Sequence, residues 1–333
     1  MEVRDASLKR TSSRALAFKK HLSRTAYGCS LLLCLAIAIC YAWRLDAWAA
    51  VTVFPVWVWV LAGLILVAAA RRQFTRRWLI GGILAWCVLL LVFSDHPRSL
   101  LRFSADERGE GIRLVSLNCA GSSEALCELA ALRPDIVLVQ ESPGREPLVS
   151  FARDLFGDEG EVLSGVDASI IAHGKIIRLP VPEDITTNAV HARIRLRQGS
   201  EIEVISLRLE APVVRVDLWS PDCWRAQTAN RQRRRKQLQR IITALGNSSA
   251  GLPIIIGGDF NAPPGDAVFD SLQSSLHDAF GEAGRGWGNT AINTAPFSRI
   301  DQIWLSPQLR ATDVYSSKTR HSDHRMVVCD VCY

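Results

Sequence analysis

Charge of one sign is in short supply in this sequence. Its 39 Lys+Arg against 33 Asp+Glu leave +6 over 333 residues, only 22% of residues are charged, and 48% are hydrophobic. A chain kept unfolded by its composition needs the reverse, so disorder is excluded. With 22 Gly and 14 Pro there is no collagen-like or low-complexity tract, and 9 Cys are too few for a small fold stapled by disulfides. No internal repeat is present. At roughly 150 residues per domain, the length admits two domains, or one large domain with added elements.

What is present is unevenly placed. Three stretches, 27–43, 47–70 and 78–93, contain no charged residue. Each is read as a membrane-spanning helix, with Trp43, Trp48 and Trp78 at ends where an indole favours the interface. Basic residues cluster before the first stretch and at Arg71, Arg72, Arg76 and Arg77, whereas the linker between the first two stretches has only Arg44 beside Asp46. The positive-inside rule then puts residues 1–26 in the cytoplasm and sends everything after the third helix to the outer face of the cell (inner) membrane. Residues 95–110 are polar and read as a juxtamembrane linker. Residues 1–110 hold 15 Lys+Arg and 7 Asp+Glu, so the remaining 223 carry 24 against 26. The basicity that invites a nucleic-acid partner thus belongs mostly to membrane topology.

From Gly111 to Tyr333, short apolar runs alternate with helical stretches. IRLVSLN, DIVLVQE, SIIAH, VHARIRLR, EIEVISLRL, LPIIIGGDF, IDQIWLS and MVVCDV read as strands. Strands 189–209 follow one another without a helix and require antiparallel pairing, which gives an α/β (α+β) domain with a mixed sheet.

Polar side chains recur at the ends of these runs. Asn118 closes SLN, Glu141 follows DIVLVQ, Asp259 and Asn261 follow PIIIGG, Asp301 opens RIDQIWLS, and Ser322, Asp323 and His324 stand near the C-terminus. Any one of these can be a cap or turn former. Together they suit metal-assisted hydrolysis of a phosphate ester. Magnesium, or manganese in its place, takes carboxylate and amide oxygens such as those of Glu141 and Asn118. His324 beside a carboxylate such as Asp301 can take a proton from water, while Asp259 and Asn261 position the nucleophile and a phosphate oxygen.

The ordered set LN, QE, GDFN, RID and SDH resembles the endonuclease/exonuclease/phosphatase superfamily, over about residues 111–332. That resemblance implies a four-layer sandwich of two mixed sheets flanked by helices, Glu141 and Asn118 at the metal, Asp259 and Asn261 around nucleophile and phosphate, Asp301 as partner of the histidine, and Asp323 with His324 closing the site. With three preceding helices the chain is similar to a membrane-tethered bacterial branch associated with glycopeptide resistance. Two positions depart from the family pattern. Ala120 stands where an acidic or polar residue is common, and Arg208 where histidine is common; arginine can clamp a phosphate but is a poor proton donor.

Trp287 and Asn289, in GRGWGNT, are candidate substrate contacts on a Gly-rich loop, and a packed turn reads equally well. The run RQRRRK at 231–236 can hold an anionic head group or lie as a solvated helix face. Five cysteines follow residue 111, an odd number, and Cys119 reads as a buried thiol rather than a nucleophile. The leading reading is a membrane-anchored phosphoesterase acting on a lipid-linked phosphate outside the cytoplasm. An exported nuclease and a weakly catalytic binding or sensor domain are its rivals.

Overall fold

The computed structural model describes residues 2–103, 111–246 and 251–333, with side chains from His21 onward. The chain divides into two compact units, Met1–Leu45 with Phe54–Ser94, and Asp46–Val53 with Asp95–Tyr333.

The first third holds α1 (Glu2–Trp43), the single turn α2 (Ala49–Thr52), α3 (Val56–Ala70), α4 (Arg76–Phe93) and the turn α5 (His96–Ser99). In the first unit Trp86 Nε1 donates to Ser30 Oγ, which donates to the Gly63 carbonyl, both at 3.0 Å. A Cβ on Gly63 would sit 1.9 Å from the Trp86 ring, so only glycine lets α3 and α4 approach this closely. Two helices, His21–Trp43 and Arg76–Phe93, are long and apolar enough to cross a membrane. The middle stretch 47–70, read from hydropathy as one span, is broken. It counts as a third span only as a pair of helices bent by 67°. Pro55 is the cause: it lacks an N–H and drives Phe54 out of helical geometry. The remaining α3 has 15 residues, about 22 Å, short of the ~30 Å hydrocarbon core.

The second unit runs β1 (Ile112–Asn118), α6 (Ser123–Cys127), β2 (Ile136–Gln140), α7 (Arg145–Phe156), β3 (Gly160–Ser164), β4 (Ala168–Leu179), β5 (Ala189–Leu196), β6 (Glu201–Arg208), α8 (Pro221–Gly246), β7 (Ile254–Asp259), β8 (His277–Asp278), α9 (Ala279–Ala283), β9 (Asp301–Leu305), β10 (Arg310–Ser317) and β11 (Met326–Cys332). The strands form one mixed path, β10-β11-β1-β2-β4-β5-β6-β7-β9-β8, with β3 beside β4. The two mixed sheets expected from the family are joined here through β4, which runs from one half of the path into the other. Twelve-residue β4 pairs with β2 and β3 through its first half and with β5 through its second.

Apolar side chains from both halves, including Leu114, Leu138, Ile170, Ile194, Val204 and Ile303, meet in one buried cluster. The outer faces are covered by helices: Leu148, Phe151 and Ala152 of α7 pack over β1 and β2, and Leu238, Ile241 and Leu245 of α8 over β6 and β7. Residues buried on both faces explain why these strands read as continuous apolar runs.

Two segments that look like connectors belong to this unit. The described part of the linker 95–110 is built in through Asp95, whose carboxylate is 3.1 Å from Arg299, and through Ser99, which donates to the Gly286 carbonyl at 2.8 Å. Residues 104–110 lie outside the described residues. The arginine run of α8 is split: Gln232, Arg233 and Lys236 form the solvated face expected of it, while two of its arginines turn inward. Arg231 and Arg234 are 1% exposed, Arg231 pairs with Asp266 at 3.0 Å, Arg233 pairs with Glu210, and Arg235 pairs with Asp46.

Candidate active site

Strand register assembles the site. β6 and β7 are parallel with Arg208 opposite Asp259, and β7 and β9 are antiparallel with Asp259 opposite Asp301, so three charged residues fall in one row. β1 and β2 are parallel with Asn118 opposite Gln140, which brings Glu141 next to Asn118. Two glycines let this row close. At Gly258 (φ 142°) a Cβ would meet the Leu207 carbonyl oxygen at 2.0 Å, and at Gly257 the Leu138 side chain at 2.5 Å.

Asn118 is fully buried and links the two halves of the ladder. Its Nδ2 donates to Glu141 Oε1 at 2.9 Å and to Asp259 Oδ2 at 3.1 Å, while its Oδ1 accepts from the Ala120 N–H. Asp259 Oδ1 accepts from the Asn261 N–H at 2.9 Å, and Asn261 Nδ2 donates to the Leu209 carbonyl. Glu141 and Asn261 both lie in the left-handed region (φ 44° and 51°), backbone that few non-glycine residues adopt and that tends to mark functional positions.

His324 Nδ1 is 2.9 Å from Asp301 Oδ2. Its backbone is fixed by Ser322, whose Oγ accepts the His324 N–H and donates to the Asn118 carbonyl, and by Thr319, which donates to the His324 carbonyl. Donor atoms of Asp259, Asp301 and His324 lie within 4.8 Å of one another. Burial opposes charge on His324, but Asp301 outweighs it by charge and hydrogen bond, with Asp259 and exposed Asp323 adding to it, and the imidazole pKa rises to about 10. Burial, then the Asp301 charge, pushes Asp259 up to about 7.

Both shifts lower stability as pH rises in metal-free protein. The contribution of protonated His324 is complete below its ordinary 6.5 and is lost through about 10. The penalty for ionising Asp259 is absent below 3.8 and complete above about 7. Chemical denaturation with EDTA should therefore show stability declining between pH 7 and 10, and His324→Gln should flatten that decline.

Arg208, which stands where histidine is common in the family, is placed by two carboxylates. Its Nη2 is 2.9 Å from Glu141 Oε1 and its Nη1 3.3 Å from Asp167 Oδ2, so it faces the site rather than solvent. Asp167 escaped sequence reasoning; its only signal is an acidic residue just before β4. Thr290, whose hydroxyl accepts from the Asp301 N–H at 3.2 Å, escaped as well.

Asn289 is closed to a substrate, and the partly exposed Trp287 has its indole nitrogen taken. Asn289 is 1% exposed and donates to the Phe297 carbonyl, Trp287 Nε1 donates to the Pro296 carbonyl, and the His96 ring packs 4.4 Å from the Trp287 ring. The Gly-rich loop spends these groups on its own turn and on the segment before β1. All nine cysteines are free, and burial pushes the Cys119 thiol up to about 12, which makes it a poor nucleophile.

The donor set fits a divalent cation. Asp301 Oδ1 is buried without a hydrogen-bond partner beside Asp259, and oxygen donors of this kind suit a hard cation. Carboxylates, an amide and a carboxylate-paired imidazole thus gather at the strand ends of a mixed sheet in an α/β protein.

The chain belongs to the Endonuclease/Exonuclease/phosphatase family, whose model matches residues 115–324. Members of this family are usually hydrolases of phosphoester bonds and generally use divalent metals. Among solved structures, a family protein from Bacteroides vulgatus is 15% identical with a TM-score of 0.53, over 67% of this chain and 99% of that one. Humanised D. rerio TDP2 is 18% identical with a TM-score of 0.51, over 68% and 100%. A family protein from Leptotrichia buccalis is 16% identical with a TM-score of 0.50, over 67% and 100%. At these identities the likeness concerns the fold. No curated protein matches the chain in sequence.

Proposed function

We propose that this protein is a membrane-anchored, magnesium-dependent phosphoesterase that hydrolyses a lipid-linked phosphate ester, diester or pyrophosphate at the extracytoplasmic face. The observation that carries the chemistry is the convergence of Asp259, Asp301 and His324 within 4.8 Å, beside Asn118 and Glu141. Two apolar helices support the anchoring, and the arginines flanking them support a cytoplasmic N-terminus with a multi-pass topology. The near-neutral balance of residues 111–333, 24 Lys+Arg against 26 Asp+Glu, favours a lipid phosphate over a polyanionic nucleic acid.

Glu141 and Asn118 are the residues that would hold magnesium, or manganese, with the free oxygen of Asp301 close by. Bound there, the cation would supply positive charge for the phosphate oxygens and would disfavour the protons on Asp259 and His324. Asp301 holds the Nδ1 proton of His324 and so aims Nε2 at the attacking water, whose proton it takes. Asp259, held by the Asn261 N–H, orients that water, and Asn261 is assigned to a phosphate oxygen. Arg208, held by Asp167, neutralises a second phosphate oxygen through its forked guanidinium. Asp323 adds negative charge at the rim.

The full chain, purified in nanodiscs with magnesium or manganese, is to be screened against phosphorylated lipids, lipid pyrophosphates, sugar phosphates and plasmid DNA. Turnover of a lipid substrate supports the reading. Plasmid nicking with a steep salt dependence and no lipid turnover sinks it in favour of an exported nuclease. Metal binding without any turnover favours a binding or sensor domain. Glu141→Gln should weaken magnesium affinity by at least the roughly 10–100-fold that losing a metal's supporting partner costs, measured by calorimetry. Arg208→Lys, which keeps the charge and loses the fork, should lower kcat/KM by about tenfold.

A further inference from the structure

Three residues between β6 and α8 stand out of the second unit: Val214, Val216 and Trp219 are 93%, 66% and 85% exposed. One exposed apolar side chain is ordinary, but three within six residues form a patch that needs an occupant. The segment carrying them is firmly held. Gln227 Nε2 donates to the carbonyls of Val213 at 2.9 Å and Arg215 at 3.3 Å, Asn230 Nδ2 to Ala211 at 3.0 Å, and Trp224 Nε1 to Leu218 at 2.8 Å. With those carbonyls turned to α8, the side chains of Val214 and Val216 stand outward. Arg215 pairs with Asp217, so residues 211–219 form a rigid apolar prong without net charge.

Its position says what it meets. The prong follows Arg208 and Leu209 in sequence, and the Leu209 carbonyl accepts from Asn261, so its base is tied to the candidate site. Gln227, which holds the prong, is followed by Thr228, whose hydroxyl donates to the Asp46 carbonyl at 2.9 Å. Arg231 and Arg235 bind Thr52 and Asp46 a turn or two further along α8. Residues Asp46–Val53, gripped in this way, lie in sequence between the apolar helices α1 and α3.

We propose that Val214, Val216 and Trp219 insert into the lipid bilayer that receives those helices, so that the candidate site opens among lipid head groups. The proposal rests on the membrane-facing half of the function proposed above. Two valines supply apolar depth, and the Trp219 indole suits the level of the head groups. The absence of net charge makes the insertion independent of salt and of anionic lipid.

The test uses the full chain in phosphatidylcholine nanodiscs doped with a phosphatidylcholine that carries a photoactivatable diazirine in its acyl chain. After irradiation and trypsin digestion, peptides 209–215 and 216–225 should carry acyl adducts, at low and high salt alike. In a Val214→Asp/Val216→Asp double variant the adducts on these peptides should fall to the level of solvent-facing peptides while the apolar helices label as before. Trp219→Ser, a milder change, should lose part of the labelling. An unchanged thermal midpoint shows that either variant is folded. Adducts confined to the apolar helices overturn the proposal. Labelling requires no turnover, so His324→Ala should label fully. Intact labelling without hydrolysis of any lipid sinks the substrate reading alone. Lost labelling with lipid hydrolysis intact sinks the prong alone.

Discussion

Replacing His324 by alanine is expected to lower kcat by about 10²–10⁴-fold, the range that a positioned general base contributes. The residue is held at three points, one on the ring and two on the backbone. Asp301 binds Nδ1 at 2.9 Å, Ser322 accepts the backbone N–H, and Thr319 donates to the carbonyl. Removing the imidazole leaves Asn118, Glu141 and Asp259 joined through the Asn118 amide, so magnesium affinity should be retained while turnover is lost. Parallel calorimetry and single-turnover kinetics separate the two. Asp301→Asn is the finer probe. It preserves the shape but removes the charge that most strongly raises His324 toward about 10, so the imidazole should titrate at lower pH, visible by NMR and as a shifted pH–rate profile. Full activity in His324→Ala would end the proposed mechanism.

The largest stability effect is expected away from the chemistry, at Asp266. Its Oδ2 pairs with Arg231 at 3.0 Å, both side chains are 1% exposed, and its Oδ1 caps a helical turn by accepting from the Val268 N–H. Asp266→Ala strands the Arg231 guanidinium in the interior next to buried Arg234. Breaking a buried pair from one side costs about 3–5 kcal/mol, which for a unit of this size lowers the melting temperature by roughly 6–20 °C. A double change, Asp266→Ala with Arg231→Met, removes the stranded charge and should recover much of the loss. If thermal unfolding of Asp266→Ala matched that of the parent, the interior placement of the arginine run would be wrong.

That run illustrates how far the sequence reads. RQRRRK is the same string whether its side chains meet water, a head group or the protein interior. What distinguishes Arg231 from Arg233 is the rotation of α8 against Asp266, Glu210 and Asp46, residues 35, 23 and 189 positions away from their arginine partners. Trp287 and Asn289 make the same point. On composition they suit a substrate loop, but their polar atoms are satisfied by Pro296 and Phe297, and His96 arrives from nearly two hundred residues earlier. The span at 47–70 misreads for a local reason: window hydropathy weighs Pro55 as one residue among many and is blind to the break it imposes.

By itself the sequence determined the eight apolar strands, because buried side chains leave a readable apolar run; β3, β8 and β10, which are short or partly exposed, carry no such run and escape that reading. It also determined the residue types at their ends, because LN, QE, GDFN, RID and SDH each carry oxygen or imidazole donors next to such a run. Tertiary structure alone decided that Arg208, Asp259 and Asp301 share one row, that Asn118 ties Glu141 to Asp259, and that Asp167 holds Arg208 in the site. Register between strands is a relation between distant residues, set by how their buried faces match and by the geometry of the connections, so no single run specifies it alone.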